Sequence, residues 1–141
     1  MEISTEPFES DRLHLKPGSE ETVSSEYSII LSHDFCNPLQ GGPTLKERLQ
    51  AMNPSRVFIL TEKKLLNIAG NLESALEVSV PCHTISFPGG ESSKHLDHLG
   101  PVYNSLIERG VDRRSIILAL GGGVVGDFAG FVGATILRGI P

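Results

Sequence analysis

Three consecutive glycines, Gly121-Gly122-Gly123, followed by Val124-Val125-Gly126-Asp127, are the part of this 141-residue sequence best suited to chemistry. They lie between an uninterrupted apolar run, Ser115 to Leu120, and a second apolar stretch, Val125 to Leu137. A turn without Cβ atoms lets backbone N–H groups face outward and lets a phosphate come close to the chain. A helix starting there adds the positive end of its dipole. The chemistry that fits is pyrophosphate binding, as in a dinucleotide. The spacing is not G-x-G-x-x-G, and the Lys-Ser/Thr of a P-loop is missing, so little supports an ATP or GTP site. The competing reading is a turn that needs glycine only for tight strand–helix packing. Asp127 is either a contact to a ribose hydroxyl or an amide of the cofactor, or a first-turn acid that stabilises the helix by about 0.3–1 kcal/mol.

Pro88-Gly89-Gly90-Glu91-Ser92-Ser93-Lys94 forms a second polar loop between a strand and a helix. Ser92, Ser93 and Lys94 offer donors, and Glu91 offers an acceptor for ribose hydroxyls. The alternative is that one serine is only an N-cap and that Glu91 and Lys94 are only solvated charges. A third feature is Arg138, which follows ten uncharged residues, Phe128 to Leu137. It compensates the helix C-terminus or presents a guanidinium to an anionic substrate. Gly130 and Gly133, costly inside a helix by roughly 1 kcal/mol each, create a small-residue surface with Ala129 and Ala134.

These loops need a scaffold, and the apolar periodicity supplies one. Thr44 to Met52 carries Leu45, Leu49 and Met52 at helical spacing, with Thr44 as candidate N-cap. Val57 to Leu60 reads as a strand. Leu65, Ile68, Ala69, Leu72, Ala75 and Leu76 mark one helical face. Ile85 and Phe87 alternate as in a strand. Leu96, Leu99, Tyr103, Leu106 and Ile107 mark the next helix, with Pro101 either a kink or a first-turn residue and Gly110 a C-cap. Ser115 to Leu120 reads as a strand buried on both faces, and Val125 to Leu137, apolar nearly all round, as a buried helix. Tyr27 to Leu31 is a candidate first strand, His33 to Pro43 a turn region, and residues 1 to 25 a flexible leader. Alternation of this kind predicts an α/β fold with a mostly parallel sheet.

Composition sets outer bounds. Hydrophobic residues are 39%, charged residues 21%, and the net charge is −5. That balance is ordinary for a globular domain and gives no electrostatic reason to expect nucleic acid. No signal-peptide plan or membrane-length apolar run is present, so no membrane partner and a cytoplasmic location are expected. Cys36 and Cys82 suggest no disulfide framework. The spacing of His33 and Cys36 lacks a second ligand pair, and His95 and His98 read as surface residues.

Taken together, the glycine stretch Gly121 to Ile140 resembles the glycine-rich motif of 3-dehydroquinate synthases, and Pro88 to Lys94 resembles that family's P-x-G-E-x-x-K loop. The helix, the Gly110–Arg113 turn and the strand between them also match. The resemblance runs from about Tyr27 to Pro141. It implies a Rossmann-like domain over 26–141 with flanking helices, binding NAD. It implies a carbon–oxygen lyase of the shikimate route to chorismate and aromatic amino acids. Such an enzyme turns 3-deoxy-D-arabino-heptulosonate 7-phosphate, a phosphorylated sugar acid, into 3-dehydroquinate and phosphate through transient oxidation by NAD. By the resemblance, Glu91, Ser92, Ser93 and Lys94 line the cofactor. Gly122, Gly123, Val124 and Gly126 pass along its phosphates, Asp127 contacts it, and Arg138 faces the substrate. The family's Thr-Asp-x-Asn run corresponds to Thr61-Glu62-Lys63-Lys64, where Glu62 would take ribose hydroxyls and Lys64 departs from the pattern. The family's divalent metal, zinc or cobalt, is held by a Glu and two His in a second domain. This sequence is expected to hold neither those ligands nor a catalytic residue, and the full-length family member is expected to be a homodimer. The alternatives are a related sugar-phosphate cyclase, a polyol dehydrogenase fragment, or a non-catalytic nucleotide-binding module.

Overall fold

The computed structural model describes residues 44–76 and 79–141, apart from the side chains of Ser93 and Lys94. The candidate strand at Tyr27, the turn region, the leader and the His33–Cys36 pair lie outside the described residues. Leu45–Pro141 forms a compact unit of its own.

In this unit four helices and three strands alternate: α1 (Leu45–Met52), β1 (Val57–Glu62), α2 (Leu66–Leu76), β2 (Cys82–Phe87), α3 (Leu99–Glu108), β3 (Ile116–Leu120) and α4 (Gly123–Thr135). The strands form one parallel sheet in the order β2-β1-β3. Successive strand residues point to opposite faces, and β1 shows this division. Phe58 and Leu60 join α3 and α4 through Val102, Leu106, Val125, Phe128 and Val132. Ile59 joins α1 and α2 through Leu49, Ala69, Leu72 and Leu76. The result is the expected α/β sandwich, a parallel sheet with helices on both faces.

Position in the sheet corrects one expectation. β1 is buried at all six positions, whereas β3, expected to be buried on both faces, is an outer strand of the described sheet with Ala119 exposed. Its apolar run still packs, with Ile116 and Leu120 on one face and Ile117 on the other. Ile117 N donates to Pro141 O at 2.8 Å, so the chain folds back on the outer edge of β3.

The helices are also narrower in their burial than their composition suggests. α4 begins inside the glycine run and buries Val125, Phe128, Ala129, Val132 and Gly133, while Phe131 is 49% exposed. A 3.6-residue period puts only one stripe against the sheet, so the remaining apolar residues face outward. For the same reason Ile68 and Ala75 of α2, and Leu96 and Ile107 around α3, fall outside the buried stripe.

α3 resolves the Pro101 alternative, since it starts at Leu99 and holds Pro101 in its first turn. It ends as expected. Gly110 has φ +72, Gly110 N donates to Ile107 O, and Val111 N donates to Leu106 O, the paired bonds of a Schellman cap.

Candidate functional site

β1 runs on into α2 on one face of the sheet, and β3 runs on into α4 on the other. Their neighbouring C-terminal ends therefore send the chain in opposite directions. A crevice opens at such a switch point, and in open parallel sheets ligands bind there. Three segments meet at it: Thr61-Glu62 at the end of β1, the Pro88–Lys94 loop after β2, and the Gly121–Gly123 loop after β3.

Two contacts tie these segments together. The buried Thr61 hydroxyl donates to Leu120 O at 2.8 Å, crossing from β1 to the residue just before the glycines. Phe87, the last residue of β2, stacks on Phe128 of α4 with ring centroids 4.3 Å apart. The roots of both loops are thus fixed to one core.

The glycines divide into two roles. A Cβ on Gly121 would fall 2.8 Å from the Cβ of fully buried Val125. That glycine serves close packing, the structural reading of the motif. Cβ atoms built on Gly122, Gly123 and Gly126 meet nothing within 4 Å. Packing within the described residues does not require those three, and they leave backbone open to solvent at the start of α4. With α4 longer than a marginal turn and its dipole directed here, the loop keeps the room a pyrophosphate needs.

Glu62 is the most unusual residue of the site. Its side chain is only 7% exposed, yet Oε2 makes no hydrogen bond. Lys64 Nζ, on a largely exposed side chain, lies 2.6 Å from Oε2 and pairs with it as an ion. Gly89, at φ +87, closes the other side, and a Cβ there would sit 2.6 Å from Oε2. A buried carboxylate is costly unless its lone pairs are engaged. A buried acceptor at the switch point, met only from outside by an exposed lysine, fits a ribose diol, which brings two donors.

The remaining expected residues are placed as follows. Glu91–Lys94 form a short 3-10 turn after Gly90, which has φ +77. The N-cap positions nearby are Gly90, His95 and His98, so neither Ser92 nor Ser93 occupies one. Glu91 and Ser92 are exposed. Asp127 lies on the rim of an apolar cleft of about 230 Å³ lined by His95, Leu96, Leu99, Phe128 and Phe131. Val124 is half-buried beside the glycines.

Arg138 is not brought to this edge. It lies past the far end of α4, some 20 Å along the helix at 1.5 Å per residue. Leu137 and Arg138 adopt left-handed backbone there, with φ 50 and 68. Arg138 therefore follows the C-terminal end of α4 and does not face the glycine loop. Thr61 and Gly89 are positioning residues that residue type alone did not single out. The only sign of them was a threonine ending an apolar strand and a glycine pair after the next one. Among the described residues no group of three His, Cys, Asp or Glu side chains is placed to hold a metal ion. His95 and Asp97 pair on the surface.

Comparison with known proteins agrees with this geometry. Residues 84–141, from within β2 through both loops and α4, match the family model "3-dehydroquinate synthase N-terminal". The chain is 58% identical over 120 residues to the 3-dehydroquinate synthase of Leptospira interrogans serogroup Icterohaemorrhagiae serovar copenhageni, covering 84% of this chain and 32% of that protein. It is 46% identical over 140 residues to the 3-dehydroquinate synthase of Rhodopirellula baltica, covering 96% and 35%. A crystal structure of 2-deoxy-scyllo-inosose synthase complexed with carbaglucose-6-phosphate, NAD+ and Co2+ superposes with a TM-score of 0.53 at 27% identity, over 62% of this chain and 24% of that one. The chain spans about a third of the length of these relatives.

Proposed function

The chain belongs to the 3-dehydroquinate synthase family, and from that premise we propose that its strand-end loops form the NAD-binding part of a 3-dehydroquinate synthase. The reaction is conversion of 3-deoxy-D-arabino-heptulosonate 7-phosphate to 3-dehydroquinate and phosphate. The observation that carries the reading is the meeting of a buried acid, Glu62, whose Oε2 is met by the exposed Lys64, with open glycines at the switch point of the sheet.

NAD, when bound, supplies reversible hydride transfer. The chain's own residues do the holding. Glu62 accepts the adenosine ribose hydroxyls, and the backbone at Gly122, Gly123 and Gly126, beside Val124, lies along the phosphates. The Glu91–Lys94 turn, with Ser92 and Ser93, flanks the same crevice. Asp127, at the rim of the apolar cleft, takes a polar group of the nicotinamide end while Leu99 and Phe131 exclude water from its face. Arg138, far from the glycines, meets the anionic substrate from another side of the assembled enzyme. The domain extends over 26–141, the complete enzyme works in the cytoplasm, and it acts as a homodimer.

A related sugar-phosphate cyclase is the second reading, favoured by the similarity to 2-deoxy-scyllo-inosose synthase. The higher identity to the dehydroquinate synthases places it second. Calorimetric titration of the folded 141-residue chain with NAD+ tests the cofactor assignment, and saturable heat is expected. A folded chain that gives none sinks it.

A further inference from the structure

At the end of β1, two charges of opposite sign and unequal exposure share one spot. The Glu62 side chain is 7% exposed and the Lys64 side chain 72%, and Lys64 Nζ lies 2.6 Å from Glu62 Oε2. Lys64 belongs to the short 3-10 turn Lys63–Leu65 that follows the strand, next to the exposed Lys63. The carboxylate is held in place by Gly89 on one side and by its own burial. The ammonium, on a flexible solvated stem, is free to change partner.

In dinucleotide-binding sheets, an acid at a strand end accepts the adenosine ribose 2′-hydroxyl, while a cation nearby accommodates a 2′-phosphate. An acid alone rejects the phosphate through like-charge repulsion. Here the acid and a cation occupy the same position. Resting on the dinucleotide reading above, we propose that Lys64 is a specificity-determining residue. Its ammonium allows this site to accept an adenosine ribose carrying a 2′-phosphate, so the chain binds NADP+ as well as NAD+.

The two ligands use the pair differently. With a free ribose diol, the hydroxyls donate to Glu62 Oε2 in place of the Lys64 ammonium, which moves out into solvent. With a 2′-phosphate, Lys64 lies between the phosphate and Glu62, neutralising the repulsion and donating a charge-assisted hydrogen bond. Lys63 adds to the positive potential at the same edge.

Calorimetry of the 141-residue chain with NAD+ and with NADP+ tests this, using the wild type, Lys64→Gln and Glu62→Gln. In the wild type the two dissociation constants are expected to lie within about tenfold of each other. Lys64→Gln is expected to weaken NADP+ by about tenfold and to leave NAD+ unchanged or slightly tighter. Glu62→Gln is expected to weaken NAD+ more than NADP+. Added salt is expected to weaken NADP+ more than NAD+ in the wild type, and equally in Lys64→Gln. Lys64 is exposed, so its substitution is not expected to impair folding, which a thermal melt verifies. Tight NAD+ binding with NADP+ more than about a hundredfold weaker, or a Lys64→Gln that shifts both ligands alike, overturns the proposal and leaves the NAD reading standing. Failure of the folded wild type to bind either dinucleotide overturns both.

Discussion

The two ends of the parallel sheet use polar residues in opposite ways. At the end where β1 and β3 begin, the groups satisfy one another. Ser55 donates to Asp112, Ser115 exchanges hydrogen bonds with the Asp112 carboxylate and amide, and Arg56 pairs with Asp112 at 3.3 Å. Arg114 adds a bond to Asn53 O. Where the strands finish, the buried Glu62 is met at Oε2 by an exposed lysine and three glycines keep open backbone. A closed network contributes stability and offers nothing to a ligand. An open one costs stability and is retained where something else completes it. The difference separates structural polarity from functional polarity within one short domain.

The largest effect is expected where the two roles meet. Gly121→Ala puts a Cβ against buried Val125 and is expected to cost about 2–3 kcal/mol by overpacking. A fall in the urea midpoint measures it, and an unchanged midpoint would break the packing role assigned to that glycine. Gly123→Ala sharpens the contrast, since nothing lies within 4 Å of the added Cβ. Stability is expected to hold or rise by up to about 0.5 kcal/mol, while NAD+ affinity falls about tenfold. Parallel loss of both would make the glycine merely structural.

Asp112→Ala addresses the opposite end. It is expected to cost about 1 kcal/mol, a figure already lowered for the partial exposure of the carboxylate, with NAD+ affinity unaltered. Its pH dependence has a definite sign. The Ser55 hydroxyl above all holds the Asp112 carboxyl below its ordinary 3.8, helped by the Arg114 amide, Ser115 and Arg56 and opposed by partial burial. A lowered folded pKa gives stability that is complete above 3.8 and is lost as pH falls through the folded value. The stability gap between wild type and Asp112→Asn should therefore shrink on acidification below 3.8, and a gap that widens there contradicts the network. The smallest effect concerns Cys82, where β2 begins. Burial first, and the Glu73 charge second, push its thiol up to about 11, against a weaker pull from the His83 amide. In a Cys36→Ser background, alkylation at pH 8 should be slow in the folded chain and fast in urea; equal rates would show an ordinary thiol.

Much of this was legible in the sequence because it depends on local chemistry. Gly110 announced a helix end, and the Schellman pair is there. The strand–helix alternation required the parallel sheet. What could not be read was set by neighbours. β3 and β1 are both apolar runs, and only strand order decides that β1 is central. Nothing in Arg138 itself tells that α4 carries it away from the glycines. The tension at Glu62 also depends on Gly89, a contact between residues distant in sequence that no spacing rule expresses.

The stacking of Phe87 on Phe128 carries a thermodynamic consequence. One ring pair anchors the roots of the two loops that border the crevice. Loops held this way have little conformational entropy left to surrender, so more of each contact to a ligand is retained as affinity. Loosening the pair would appear as a larger entropic penalty in the binding isotherm even with every cofactor-contacting residue intact.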